Sequence, residues 1–312
     1  MTVLGGRDRS AARPGPGPIA DRLVRQLELS LDRRVGGRMS GDHLGRGHGT
    51  GLELDRIRPY EPGDDVRRID WNATARTLVP QVREDVPDRQ LTAWLLLDHS
   101  PSMHFGTADR RKADVAEGAA LVVGRFAARR GNRLGVMTFG AGREHVSPPA
   151  GGSRGMLGLL RAVATEPPEE GGGETSPARA LALVGAIRST PGVVVIVSDF
   201  RGPRDWIPAI TNVAARHAVI ALEVTDPRED ALVDVGELTL IDPETGRTLR
   251  VDTGDRRLRS AFVDAAGAER ASLANVFRRL AIRHLRLSTD GPWLPALARG
   301  FTRTPDRIGR PA

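Results

Sequence analysis

The hydrophobic pattern changes character near residue 90. Downstream, short unbroken apolar runs alternate with segments of helical period. The runs are Leu91–Leu97, Arg133–Phe139, Val193–Ser198 ("VVVIVS") and Val219–Val224. Runs of this length without polar alternation are expected of strands buried on both faces, as in a parallel sheet. Between and after them, Arg110–Arg129, Met156–Ala164, Pro177–Ile187 and Pro208–Arg216 carry apolar residues at helical spacing. Alternating strands and helices predict an α/β fold, doubly wound on a mainly parallel sheet of Rossmann type.

The flanks read differently. Residues 1–18 are rich in Gly, Pro and Arg and are expected to be a flexible tail. "ADRLVRQLELSLDRR" (20–34) places Leu23, Val24, Leu27 and Leu31 on one helical face. Residues 36–55 are glycine-rich and irregular, and 81–88 read as a short strand. "ELTLIDPETGRTLRV" (237–251) reads as a β-hairpin turning at Pro243–Gly246. Residues 255–282 form a long helical pattern whose weak point is Gly267. The expected organisation is a tail (1–18), an N-terminal segment packed on the main domain (19–88), the sheet domain (89–235), and a C-terminal extension of hairpin, long helix and tail (236–312).

Composition narrows the function classes. The 312 residues are 39% hydrophobic and 27% charged, ordinary for a globular chain. The absence of cysteine excludes disulfides, thiolate metal sites and cysteine nucleophiles. The longest apolar runs fall well short of the ~18 residues that suggest a membrane span. The N-terminus lacks the apolar core of a signal peptide, so the expected location is cytoplasmic. The formal charge of +7 would suit nucleic acid. Basic and acidic residues are interspersed, however, as on a solvated surface. Lys112 is the only lysine, an arginine bias that GC-rich coding would produce.

In open α/β sheets, ligands bind at the carboxyl ends of the strands. After the first apolar strand come Asp98, Ser100 and Ser102, and after the third comes Asp199. Thr175 lies in the glycine-rich "EGGGETSPARAL", just before a helix. Positions 98, 100 and 102 of an extended segment can share one side. Two carboxylates and three hydroxyls form an all-oxygen set suited to Mg²⁺ or Mn²⁺. A turn with helix capping would use the same residue types, and Thr175 or Ser176 could cap the helix beginning at Pro177.

The D-x-S-x-S sequence after an apolar strand, the threonine in a Gly-rich loop and the later strand-end aspartate resemble the von Willebrand factor A fold. The resemblance covers roughly residues 89–225. It implies a metal-ion-dependent adhesion site in which Ser100, Ser102 and Thr175 are hydroxyl ligands. Asp98 and Asp199 would bind directly or through water, leaving one position for an acidic residue of a partner. Upstream, "YEPGDDVRRIDWNATAR" (60–76) resembles the signature of the bacterial "domain of unknown function 58" family. That resemblance implies work alongside a MoxR-type AAA+ ATPase. Asp64, Asp65, Arg67, Asp70 and Trp71 are then candidates for docking a partner. A Pro-Gly turn with local ion pairs is the alternative for this stretch, and Trp71 would equally serve as a packing anchor.

Other motifs are weak. "GRGHGTG" (45–51) neither follows a strand nor opens a helix, and no G-x-x-x-x-G-K-[ST] is present. His43 and His48, and His99 and His104, make no metal-ligand pattern. The leading expectation is a non-enzymatic protein-interaction module using Mg²⁺ or Mn²⁺ to hold a partner carboxylate. One alternative is a metal-dependent phosphatase or hydrolase with Asp98 as nucleophile, although such enzymes carry D-x-D and position 100 is a serine. Nucleic-acid binding rests on charge alone.

Overall fold

The computed structural model describes residues 2–3, 15–22, 25, 54–85, 91–128, 132–140, 144–164, 176–187 and 191–302. The expected helix over 20–34 therefore lies largely outside the described residues, as do His43, His48 and Thr175. The chain divides into two compact units: residues 39–90, and residues 1–38 with 91–312.

The larger unit is built on six strands. They are β4 (Thr92–Asp98), β5 (Arg133–Phe139), β6 (Val146–Gly151), β7 (Val193–Ser198), β8 (Ala218–Thr225) and β11 (Arg283–Ser288). Their spatial order is β11-β8-β7-β4-β5-β6. All neighbours are parallel except β6, which runs antiparallel to β5 at one edge. Counted along the chain, the order is 3-2-1-4-5-6, that of a doubly wound sheet. The fold is α/β, doubly wound on a mainly parallel sheet.

The central strands are apolar on both sides because helices cover both faces. One face presents Trp94, Leu96, Met137, Val194, Ile196 and Ala221. These pack with residues of α4 (Ala178–Ala186), α5 (Ile207–Ala214) and α6 (Arg256–Arg279). On the other side, α2 (Lys112–Ala128) lies against β4, β5, β7, β8 and β11. α3 (Gly152–Ala164) and α7 (Trp293–Thr302) flank α2. Leu95 and Leu96 are wholly buried on opposite faces of β4, each worth about 1.5–3 kcal/mol of transfer free energy. Gly135 leaves room for the Trp94 ring, since a Cβ there would come within 2.7 Å of it.

The hairpin expected at 237–251 is present as β9 (Glu237–Ile241) and β10 (Thr248–Asp252), joined by β1 (Thr2–Val3) into a three-stranded sheet. Its turn is closed by Asp242 N–H to Arg247 O (2.8 Å) and Gly246 N–H to Asp242 O (2.8 Å). Gly246 takes the positive φ (68°) that this turn needs. The long helix α6 runs unbroken through Gly267, capped by Asp255, whose side chain accepts from Arg257 N–H at 2.7 Å. Burial of Leu273 and Phe277 in the core holds it in place at a cost of about 1 kcal/mol for the glycine.

In the smaller unit, β2 (Leu54–Pro59) pairs antiparallel with β3 (Gln81–Asp85). A 3₁₀ turn (Val66–Arg68) and the short helix α1 (Trp71–Thr77) lie between them in sequence.

Candidate functional site

In this sheet the strand order reverses between β4 and β7, because β4 is continued to β5 on one side and meets β7 on the other. The crevice beyond their carboxyl ends is where doubly wound sheets bind ligands. Asp98 ends β4, and Asp199 follows β7 directly. Both are almost fully buried, as are Ser100 and Ser102. Ser100 precedes, and Ser102 lies within, a single 3₁₀ turn (Pro101–His104). Four of the five expected ligands therefore sit at the ends of two adjacent strands.

The turn is tied down by its own polar groups. Ser100 N–H donates to Asp98 Oδ1 at 2.8 Å, and the Ser100 and Ser102 hydroxyl oxygens are 3.0 Å apart. Ser198 Oγ–H donates to Asp98 Oδ2 at 2.5 Å and itself accepts from Phe200 N–H at 2.9 Å. Phe200 has a left-handed backbone (φ 52°), unfavourable for a residue with a Cβ. Its ring packs against Trp206 and Phe277, with centroids 5.7 and 5.1 Å away. The aromatic cluster holds a strained residue beside Asp199, as functional sites commonly do.

Asp199 has a cationic partner that the sequence reading did not assign. Lys112 Nζ, with no solvent exposure, donates to Asp199 Oδ2 at 2.6 Å and to Glu229 Oε1 at 2.7 Å. Asp199 Oδ1 accepts from Arg201 N–H at 3.0 Å. Burial would raise the Asp199 carboxyl, but the Lys112 ammonium outweighs it and holds the group below the usual carboxylate range. Asp98 goes the opposite way. Burial, and then the nearby Asp199 charge, push it up to about 7 against the hydrogen bonds from Ser198 and Ser100. Burial would lower Lys112, but its two carboxylates keep it above its ordinary value.

A further carboxylate reaches the same loop. Glu244, at the tip of the β9–β10 hairpin, accepts from Ser102 N–H through Oε1 at 3.0 Å, across 142 positions of chain. The tip is stiffened by Asp242, whose Oδ1 accepts from Glu244 N–H at 3.0 Å and whose Oδ2 accepts from Thr245 Oγ1 at 2.7 Å. Among the described residues, no three His, Cys, Asp or Glu side chains cluster as a metal site. A cation here would thus depend on hydroxyl oxygens. The donor set fits a hard cation in part: Asp98, Ser100 and Ser102 supply oxygens at one place, whereas Asp199 is engaged by Lys112.

The docking candidates of the smaller unit have local duties. Asp64 forms a two-pronged pair with Arg58 (2.7 and 2.7 Å) and accepts from Glu61 N–H at 2.9 Å. The Arg58 guanidinium is the main cause that keeps its carboxyl low. Asp65 caps the 3₁₀ turn by accepting from Arg67 N–H at 3.0 Å. Asp70 caps α1, accepting from Asn72 and Ala73 N–H at 3.0 Å each. Trp71 is 70% exposed, and Arg67 is exposed as well.

The residues that sequence reasoning missed are Lys112, Ser198, Glu229 and Glu244. Only Lys112 left a signal, as the single lysine of an arginine-rich chain. Among the described residues, no helix is long and apolar enough to cross a membrane.

Known proteins place the chain. An uncharacterized protein of Mycobacterium tuberculosis is 40% identical over 276 residues, covering 88% of this chain and 87% of that one. An uncharacterized protein of Mycobacterium avium is 39% identical over 152 residues, 49% of this chain and 89% of its own. Among solved structures, the conserved hypothetical protein BatB of Bacteroides thetaiotaomicron is 13% identical. It covers 68% of this chain and 97% of its own, with a TM-score of 0.39. The SpRpn10 VWA domain is also 13% identical, covering 72% of this chain and all of its own, with a TM-score of 0.38. The family described as protein of unknown function DUF58 matches residues 56–272, and the chain belongs to that family.

Proposed function

We propose that the protein is a non-enzymatic interaction module. The oxygens of Asp98, Ser100 and Ser102 hold Mg²⁺ or Mn²⁺, and Thr175 and Asp199 complete the motif in sequence. The ion in turn holds an acidic residue of a protein partner. The observation that carries this reading is the seat of Glu244: a carboxylate already accepts from Ser102 N–H at 3.0 Å. A turn whose backbone N–H receives one carboxylate, beside two hydroxyl oxygens 3.0 Å apart, has the chemistry to receive another through a cation. Family resemblance adds the partner, a MoxR-type AAA+ ATPase or its client, for which this chain would be an accessory. The net charge of +7 would speed encounter with an acidic partner and make the on-rate salt-sensitive.

The hydrolase alternative needs a free nucleophilic carboxylate at Asp98. It also calls for a second carboxylate two residues after Asp98, where this chain has Ser100. Capture of a protein partner by the tagged chain tests the proposal. Capture is expected to fall with EDTA and with Asp98→Ala. Binding that survives both, or that goes to nucleic acid and weakens steeply with salt alone, overturns it.

A further inference from the structure

The chain contains 46 lysines and arginines in all, and one of them is lysine. That lysine is wholly buried and bridges two carboxylates from different strand ends. Asp199 follows β7, and Glu229 lies in the 3₁₀ turn (Pro227–Glu229) after β8. Lys112 itself opens α2, with its N–H donated to Phe105 O at 2.8 Å. One Nζ thus joins three segments beside the D-x-S-x-S turn. Each carboxylate is further satisfied: Asp199 Oδ1 by Arg201 N–H, and Glu229 Oε2 by Asp226 N–H at 3.0 Å.

Two carboxylates buried this close repel each other unless a cation lies between them. A hard divalent ion bound by oxygens would meet that need, and so does a compact ammonium. A planar guanidinium has a different shape and donor fork, which gives a reason for lysine where the chain otherwise uses arginine. We propose that Asp199 and Glu229 form a cation seat that the chain fills with its own Lys112 ammonium. The site is then assembled without metal, and any divalent ion is restricted to the Asp98, Ser100 and Ser102 oxygens. The fixed positive charge also weakens divalent binding there. This holds whether or not the wild-type chain takes up metal for a partner.

The test compares full-length wild type with Lys112→Met, melted in EDTA and in millimolar Mn²⁺. In EDTA the variant is expected to melt about 10 °C lower, because two buried carboxylates lose the ammonium between them, and Glu229 keeps only the exposed Arg201 guanidinium at 3.8 Å. Mn²⁺ should restore most of that loss, a shift clearly larger than any it causes in wild type. Lys112→Met should also bind Mn²⁺ at least about tenfold more tightly. Lys112→Met/Asp199→Asn/Glu229→Gln, lacking both charges, should recover stability in EDTA and show no extra Mn²⁺ shift. If Lys112→Met cannot be purified free of metal, Lys112→Met/Glu229→Gln retains one of the two seat carboxylates and should still show a Mn²⁺ shift larger than wild type's; a shift no larger overturns the proposal. An equal Mn²⁺ shift in wild type and variant, or a variant that melts low and is not rescued, means that Lys112 is an ordinary structural ion pair and overturns the proposal. Wild type's own Mn²⁺ response reads the partner hypothesis separately.

Discussion

Glu244 Oε1 lies 3.0 Å from Ser102 N, joining the tip of the β9–β10 hairpin to the turn that carries both motif serines. The contact puts the only described turn of the small sheet at the carboxyl edge of the large one. Truncating it with Glu244→Ala removes a charge-assisted, part-buried hydrogen bond. The expected loss is about 1–2 kcal/mol, read as a lower urea midpoint at unchanged m-value. An unchanged midpoint would mean that the hairpin tip does not hold the turn.

Asp226 should matter more for stability than any group in the motif. It is almost fully buried and accepts from Thr107 N–H (2.8 Å), Thr107 Oγ1 (2.5 Å), Thr289 Oγ1 (2.6 Å) and Arg228 N–H (2.9 Å). Burial alone would raise its carboxyl, but these donors outweigh it and hold the group below its ordinary 3.8. A depressed carboxylate contributes stability above its unfolded value and loses it as pH falls through the folded one. Asp226→Asn is therefore expected to cost about 3 kcal/mol near neutrality. The gap to wild type should narrow below pH 3.8. A gap independent of pH would show that the charge is not what the threonines hold.

His217 sets a second pH dependence, of opposite chemistry. It is buried, and its Nδ1 accepts from Gly192 N–H at 3.2 Å, which requires that nitrogen to be unprotonated. Burial, and then the Arg216 charge, keep the imidazole below its ordinary 6.5. The unfolded chain therefore binds the proton more readily, and stability falls as pH drops through 6.5. His217→Asn keeps an acceptor without titrating, and should flatten the stability profile between neutrality and mild acid. A profile of unchanged slope would assign the dependence to another group.

The sequence made the sheet legible where strands were buried on both faces, because continuous runs such as Val193–Val197 have few other uses. It hid the edges. β11 (Arg283–Ser288) carries Arg283, His284 and Arg286, being only partly covered. β6 contains Pro148 and Pro149, which an edge strand tolerates because one side needs no ladder partner. The strand-end oxygens were readable, since D-x-S-x-S is local. The Lys112–Asp199 pair spans 87 positions, and the Ser102–Glu244 contact spans 142. Such pairs have no local pattern and follow only from strand order. In the upstream motif Asp65 and Asp70 cap backbone and Asp64 turns to Arg58, two residues before the quoted stretch begins at Tyr60, a partner that lies outside the motif itself.

The central claim is that the oxygens at the end of β4 hold a divalent cation. Calorimetric titration of the metal-free chain with Mn²⁺ measures it without any partner. One binding site is expected, abolished by Asp98→Ala and weakened by Ser100→Ala. Equal Mn²⁺ binding by wild type and Asp98→Ala, or no binding by wild type up to millimolar Mn²⁺, would contradict the account and leave the strand-end constellation a structural network.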